Sequence, residues 1–282
     1  VLTHTLHYGT GVFEGLRFYQ TAKGTAIFRL KEHAKRLMES AKIMQMETKY
    51  SQKDYEKAIV DIVKINKLKD GYIRPLIYFG YGKMGIDTTE CVVDSIVAAF
   101  TWPTYLGKEG LENGIGAKVS SHRRHNINSM MTKAKTVGNY VNSTMAKMEA
   151  LNAGYQEAIL LDTEGYICEC SAENIFMVKD GELITPPLLN ALDGITRRSI
   201  MELARDNKIK VREEFFSRDQ LYVADEAFMT GTAAEVTPLK EIDHRVIGNG
   251  TPGPITKKLQ KLFFDIVKGK VPKYNKWLTI VK

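Results

Sequence analysis

The feature that most limits how this chain can fold is a break. Runs of strand and helix length follow one another from Thr25 to Phe100, and again from Ala117 onward. Between them, Thr101-Trp102-Pro103-Thr104-Tyr105-Leu106-Gly107 and the stretch from Gly110 to Gly116 carry proline and glycines in place of an apolar period. Such a stretch marks a connection between domains. At 282 residues the chain is also long for one core, so length alone favours two domains. The expected division is a small domain over 1–101, a connection over 102–113 and a larger domain over 114–282.

In the first part, Thr25 to Arg29 reads as a strand and Lys31 to Met46 as a helix with Leu37, Ala41 and Met44 inward. Ser51 is placed to cap a second helix whose apolar face is Tyr55, Ala58, Ile59, Ile62 and Val63. Tyr72 to Phe79 and Val92 to Phe100 are further strands, so this part is α+β. Thr5 to Tyr19, with Gly9, Gly11 and Gly15, reads as a glycine-rich connection. The second part opens with a strand at Ala117 to Ser121 and a polar segment to Thr132. A helix from Thr136 to Asn152 follows, ended by Gly154. Ala158 to Leu161 and Ile175 to Val178 are strands, and Asp180-Gly181 is a two-residue hairpin turn. Ile195 to Asn207 reads as a helix, and Ile209 to Arg212, Phe228 to Thr230 and Val236 to Ile242 as strands. Leu259, Leu262, Phe263, Ile266 and Val267 form the clearest helical stripe, expected to be packing.

Several function classes drop out. The net charge of +7 comes from dispersed basic residues, which suits a solvated surface or anionic small molecules. Arg123 and Arg124 lack the aromatic platform of a nucleic-acid module, and no apolar run is long enough to span a membrane. Cys91, Cys168 and Cys170 are too few for a disulfide framework, which points to a reducing compartment, the cytoplasm. Cys168-x-Cys170 has neither redox nor metal spacing, and the six histidines give no ligand set, so no metal is expected. No signal-peptide pattern is visible, although a chain opening at Val1 without methionine leaves a leading segment open. Gly80-Tyr81-Gly82-Lys83-Met84-Gly85 matches a dinucleotide fingerprint, but the next run is a strand where a helix is required. It is read as a loop.

Two stretches carry chemistry. Thr132-Lys133-Ala134-Lys135-Thr136-Val137-Gly138-Asn139-Tyr140 puts two lysines before a helix, and composition does not separate them. Glu169-Cys170-Ser171-Ala172-Glu173-Asn174 puts a carboxylate before an apolar strand. With Thr5 to Arg17, Tyr72-Ile73-Arg74-Pro75, Gly194-Ile195-Thr196-Arg197 and Phe228 to Glu235, these blocks resemble the branched-chain amino acid aminotransferases. Those are pyridoxal 5′-phosphate enzymes of fold type IV, like the D-amino acid aminotransferases. The resemblance runs from Thr5 nearly to Trp277.

It implies a small α+β N-terminal domain and a larger β-barrel-like C-terminal domain with flanking helices. It implies transamination of Leu, Ile or Val with 2-oxoglutarate (EC 2.6.1.42) by a ping-pong route, with Lys135 as the Schiff-base lysine. Glu173 would face the pyridine nitrogen, and Tyr140 the ring oxygen. Gly194, Ile195, Thr196, Thr232 and Arg36 would hold the phosphate, with Arg29 an alternative cation, and Leu192 would pack on the ring. Phe13, Gly15, Trp102, Tyr105 and Tyr140 would wall the substrate pocket, and Arg74 would turn toward an acidic side chain. Tyr72 with the amides of Thr232 and Ala233 would hold the α-carboxylate. Tyr8, Met84 and Ile86 would reach a neighbouring subunit's site in a dimer or a trimer of dimers. Ile127 and Met131 stand where the family carries prolines, so the local loop shape is open. A D-amino acid aminotransferase or an aminodeoxychorismate lyase is the enzymatic alternative, and a non-catalytic binding protein the alternative of another class.

Overall fold

The structure, a computed structural model, describes residues 1–103 and 105–281. Thr104, inside the expected 102–113 connection, and Lys282, the last residue of the expected 114–282 domain, lie outside the described residues. In chain order the first elements are α1 (His4–Tyr8), β1 (Gly11–Phe13), β2 (Leu16–Thr21), β3 (Gly24–Phe28), α2 (Leu30–Ile43), α3 (Gln52–Ile65), β4 (Gly71–Phe79) and β5 (Val93–Phe100). Then come α4 (Gly107–Asn113), β6 (Ile115–Arg123), α5 (Tyr140–Asn152), β7 (Glu157–Leu161), β8 (Ile167–Cys170), β9 (Asn174–Lys179) and β10 (Glu182–Thr185). The chain ends through α6 (Ile195–Asp206), β11 (Val211–Glu213), α7 (Arg218–Tyr222), β12 (Glu226–Gly231), β13 (Glu235–Ile242), β14 (Arg245–Val246), α8 (Pro254–Val267) and β15 (Leu278–Ile280).

Two compact units form. The first contains Val1–Pro103, Lys133–Tyr140 and Asp265–Lys282, and the second Thr104–Thr132 and Val141–Phe264. The lysine-bearing stretch and the C-terminus therefore belong to the N-terminal unit, for visible reasons. Phe13 N donates to the Lys135 carbonyl at 3.0 Å, and β15 pairs antiparallel with β3.

The first unit is built on a six-stranded sheet ordered β1-β4-β2-β3-β15, with β5 on the far edge of β4. The Thr5–Tyr19 stretch is not a connection: it holds a short helix and two strands. Val12, Leu16, Phe18, Ile73 and Ile77 are fully buried in this sheet, and Leu37 of α2 and Ile59 of α3 cover it. Each such side chain contributes about 1.5–3 kcal/mol by leaving water. Ser51 caps α3 through a reciprocal box with Asp54. The Gly80–Gly85 stretch runs as a loop from β4 toward β5.

The second unit is built on a nine-stranded mixed sheet ordered β11-β10-β9-β12-β13-β6-β7-β8, with β14 on β13. Asp180 (φ 50°) and Gly181 (φ 76°) close the β9–β10 hairpin, as that residue pair demands. Cys170 N at the end of β8 donates to the Glu173 carbonyl just before β9 at 2.7 Å, so the chain turns sharply from the last strand of the sheet back to β9. Helices flank it, including α4 and α7, which lie in stretches that gave no helical reading. In α5 the small buried residues are Ser143, Ala146 and Ala150, which let this helix lie close to Ala158 and Leu160 of β7. The whole is an α+β fold.

Candidate active site

In the first unit a gap in strand pairing makes room for side chains. The inner edge of β4 pairs with β2 at Gly71–Ile73 and with β1 at Leu76–Tyr78, leaving Arg74 and Pro75 opposite the Glu14–Gly15 step. Glu14 N donates to the Pro75 carbonyl at 2.9 Å. Gly15 is required here, because a Cβ at that position would stand 1.7 Å from the Tyr72 hydroxyl.

Lys135 faces this gap. Its backbone N donates to Ser40 Oγ at 3.0 Å, and its Nζ donates to the Tyr140 hydroxyl. The Nζ also stands 4.8 Å from the Phe13 ring centroid, and the Phe13 and Tyr140 rings meet edge-on at 4.8 Å. Burial, and next the Arg36 guanidinium, push the Lys135 amine below the usual lysine range, with Glu14 pulling the other way. Lys133, the other lysine, is exposed.

Arg74 lies with its guanidinium carbon 4.6 Å from the Phe13 centroid, and its Nη2 donates to Tyr72 Oη at 3.4 Å. Trp102 packs edge-on against Tyr72 at 4.6 Å, and its carbonyl accepts from Arg17 Nη2 at 3.0 Å. Phe13, Tyr72, Arg74, Trp102, Lys135 and Tyr140 thus form one group.

A second group, of which sequence reading named only Arg36, stands beside it. Glu14 is fully buried and accepts from Arg36 Nε at 2.5 Å and Nη2 at 3.0 Å, and it meets His33 Nδ1 at 2.7 Å. Burial opposes the charge, yet Arg36 and His33 hold the Glu14 carboxyl far below the carboxylate range. Burial also holds His33 below the usual histidine range. Their spacing on α2, with Ser40 one turn further, was the available signal. Arg29 is engaged elsewhere, stacked 3.8 Å over the Trp277 ring centroid and paired with Glu32 at 2.8 Å.

Tyr8 (42% exposed), Met84 (46%) and Ile86 (89%) are on the surface. Gly85 N donates to Tyr8 Oη at 3.2 Å, and His4 Nε2 meets the Gly85 carbonyl at 2.7 Å, so α1 fixes the loop.

In the second unit the start of β9 gathers the remaining residues. Asn174 Nδ2 donates to the Leu192 carbonyl at 2.9 Å, and a Cβ on Gly194 would fall 1.9 Å from Asn174 Oδ1. Gly194 is the N-cap of α6 and offers no side-chain cap, so the first amides of this twelve-residue helix, at Ile195 and Thr196, have no intrahelical acceptor, as an anion site requires. Across the ladder Thr230 pairs with Asn174, and its buried Oγ1 has no hydrogen-bond partner among the described residues. Thr232 and Ala233 form the half-buried turn after β12.

Two buried carboxylates flank this place. Glu173 Oε2 accepts from the adjacent Ala172 N at 3.0 Å. Burial, then the Glu173 charge, push the Tyr105 phenol up. Glu169, at the centre of Cys168-Glu169-Cys170, received no role from sequence. Its Oε2 accepts from Leu192 N at 3.1 Å, and its Oε1 is 2.8 Å from Arg124 Nε. A carboxylate buried between two apolar strand neighbours was the signal to follow.

Comparison with known proteins follows the same line. The family described as Amino-transferase class IV matches residues 11–242. A branched-chain-amino-acid aminotransferase of Pseudomonas aeruginosa is 50% identical over 282 residues, covering 100% of this chain and 92% of that protein. A solved branched-chain amino acid aminotransferase of Escherichia coli superposes with a TM-score of 0.98 at 47% identity, covering 100% of this chain and 93% of that one. A further solved branched-chain amino acid aminotransferase, complexed with N-(5′-phosphopyridoxyl)-L-glutamate, gives 0.95 at 47% identity, covering 100% and 92%.

Proposed function

The chain belongs to the amino-transferase class IV family, among the branched-chain aminotransferases, and from that premise we propose that it moves the amino group of Leu, Ile or Val to 2-oxoglutarate. The products are the branched-chain 2-oxo acids and L-glutamate, formed in two half-reactions on one amine carrier. The similar enzyme solved with a phosphopyridoxyl-glutamate supports glutamate as the second amino acid.

The cofactor is pyridoxal 5′-phosphate, and the residues fit it. The uncapped α6 N-terminal amides and the unpartnered Thr230 hydroxyl are donors a phosphate ester and ring substituents need, and Gly194 leaves no room for a Cβ against Asn174 at that helix start. When bound, the cofactor supplies an electron sink for negative charge at the substrate's Cα.

The protein's own residues do the rest. Lys135 is the amine that carries the cofactor and later moves the proton at Cα. The observation that carries this is half-buried Lys135, whose Nζ is hydrogen-bonded to Tyr140 and whose amine is held below the ordinary lysine range. Arg36, fixed by Glu14, supplies the phosphate's cation, with the amides of Ile195 and Thr196 and the Thr232 hydroxyl. Leu192 packs on the ring. Sequence resemblance named Glu173 for the pyridine nitrogen, and we assign Glu169 in its place. Glu169 bonds to the amide of Leu192, the ring-packing residue, while Glu173 turns back on Ala172.

Phe13, Trp102, Tyr105 and Tyr140 exclude water around the branched side chain, and Arg74 answers the glutamate carboxylate. Tyr72 with the Thr232 and Ala233 amides holds the α-carboxylate. Exposed Tyr8, Met84 and Ile86 support a dimer in which this loop serves the partner's site. Three cysteines, Cys91, Cys168 and Cys170, are too few for a disulfide framework and suit the cytoplasm. No helix among the described residues is long and apolar enough to cross a membrane.

The test is a half-reaction survey, following cofactor absorbance as each amino acid is added. L-leucine and L-glutamate should each discharge the lysine-bound cofactor. Discharge by D-alanine but not by L-leucine would overturn the reading.

A further inference from the structure

Arg124 is a guanidinium buried to 5% exposure directly after β6, in the polar segment where sequence gave no structure. Its backbone is fixed first: Arg124 N donates to the Leu161 carbonyl at the end of β7 at 2.8 Å. Its side chain then reaches in three directions. Nη1 donates to Asn142 Oδ1 at 2.9 Å and to Ser143 Oγ at 3.1 Å, both in the first turns of α5. Nη2 donates to the carbonyls of Cys170 at 3.0 Å and Ser171 at 3.1 Å, in the turn between β8 and β9. Nε lies 2.8 Å from Glu169 Oε1.

A surface cation does not use its donors this way. Burying a guanidinium is costly unless its charge is matched, and Arg124 is matched by the Glu169 charge while its Nη1 and Nη2 donors are spent on the α5 side chains and the two carbonyls. Geometry decides what this accomplishes. Glu169 is held from opposite sides, by Arg124 on Oε1 and by Leu192 N on Oε2. An ion pair on one oxygen and an amide hydrogen bond on the other hold the carboxylate in place. The Cys170–Ser171 carbonyls, held by the same guanidinium, fix the turn that leads into Asn174, which in turn holds the Leu192 carbonyl. Leu192 is thus gripped at its amide by Glu169 and at its carbonyl by Asn174, and both grips trace back to Arg124.

We propose that Arg124 is a positioning residue for the cofactor's pyridine nitrogen: its guanidinium holds Glu169 by charge and the β8–β9 turn by hydrogen bonds, and so sets the place of Glu169 and Leu192 and how strongly the protein distinguishes a nitrogen from a carbon at that ring position. The proposal rests on the reading above that Glu169 is the nitrogen's partner. A lysine cannot replace the guanidinium, because one ammonium cannot meet Glu169, the turn carbonyls and the α5 side chains at once.

The experiment compares binding of pyridoxal 5′-phosphate and its 1-deaza analogue, which carries C–H in place of the ring nitrogen, to cofactor-free protein. Wild type should prefer the nitrogen-containing form. R124Q should lose at least tenfold of that preference and R124K an intermediate share, while both keep the wild-type circular dichroism spectrum. E169Q should lose the preference as well, and R124Q in the E169Q background should remove no more of it. The rate of the L-leucine half-reaction should fall roughly 10- to 100-fold in R124Q with pyridoxal 5′-phosphate and change little further with the deaza form. Full preference in R124Q or R124K, with E169Q impaired, overturns the role of Arg124 and leaves Glu169 standing. Full preference in E169Q overturns the assignment of Glu169 itself. If R124Q does not fold, R124K carries the test alone, and wild-type preference in R124K overturns the proposal.

Discussion

Arg36 grips Glu14 from two sides, through Nε at 2.5 Å and Nη2 at 3.0 Å, with the carboxylate wholly out of water. A pair of this kind tolerates the loss of one partner badly, because the other charge stays buried and unmatched. Glu14→Ala should cost about 3–5 kcal/mol of stability, and urea unfolding of the cofactor-free protein measures it. Arg36 would also lose its fixed orientation. Retention of pyridoxal 5′-phosphate through dialysis should therefore drop together with stability.

Tyr140 accepts from the Lys135 amine and leaves its ring against Phe13. Tyr140→Phe keeps the ring and removes the acceptor. Losing about 1–1.5 kcal/mol of hydrogen bonding should slow the L-leucine half-reaction roughly tenfold with the fold intact. A stopped-flow trace at saturating leucine reads this directly.

Arg74 lies over Phe13 and beside Tyr72, and the proposed function gives it the acidic side chain of glutamate to answer. Arg74→Met should slow the L-glutamate half-reaction on the order of 100-fold, from the ~1.5–3 kcal/mol that a charged hydrogen bond contributes. The L-leucine half-reaction should change far less. Equal losses for both would show that Arg74 has no part in choosing the side chain.

Glu149 supplies a pH-dependent term. Against the penalty of partial burial, the Ser120 hydroxyl, Lys118 and the Ser121 amide hold its carboxyl at about 2 instead of 4.5. The folded value lies below the unfolded one, so the stabilisation is present in full above pH 4.5 and is lost as pH falls toward about 2. Glu149→Gln should be less stable than wild type at neutral pH, and the difference should shrink across that window. Unfolding midpoints in urea from neutral pH downward show whether it does.

Much of this molecule was legible because local chemistry decided it. Ser51 with Asp54 announced α3, and Asp180-Gly181 announced the β9–β10 hairpin. Residues 259–267 announced α8 by their apolar period. What escaped depends on partners distant in sequence. The Thr5–Tyr19 stretch looked like a glycine-rich connection, because Gly9, Gly11 and Gly15 are there for close approach to other segments. A Cβ on Gly9 would lie 2.9 Å from Gly138, one on Gly11 2.8 Å from Thr5, and one on Gly15 1.7 Å from Tyr72. The helices α4 and α7 are too short to show a period. The proposed choice of Glu169 over Glu173 turns on Leu192 and Arg124, which the fold brings to Glu169. The choice between Lys133 and Lys135 likewise turns on which one the gap in β4 pairing faces.

The central claim is that Lys135 is the amine on which the chemistry runs, and its most direct measurement is a pair of single substitutions. Lys135→Ala should bind pyridoxal 5′-phosphate without the visible absorbance of a lysine-bound cofactor and should show no transamination of L-leucine. Lys133→Ala, which alters an exposed side chain, should keep both. Absorbance and activity retained in Lys135→Ala, or lost in Lys133→Ala while Lys135→Ala keeps them, would contradict the account.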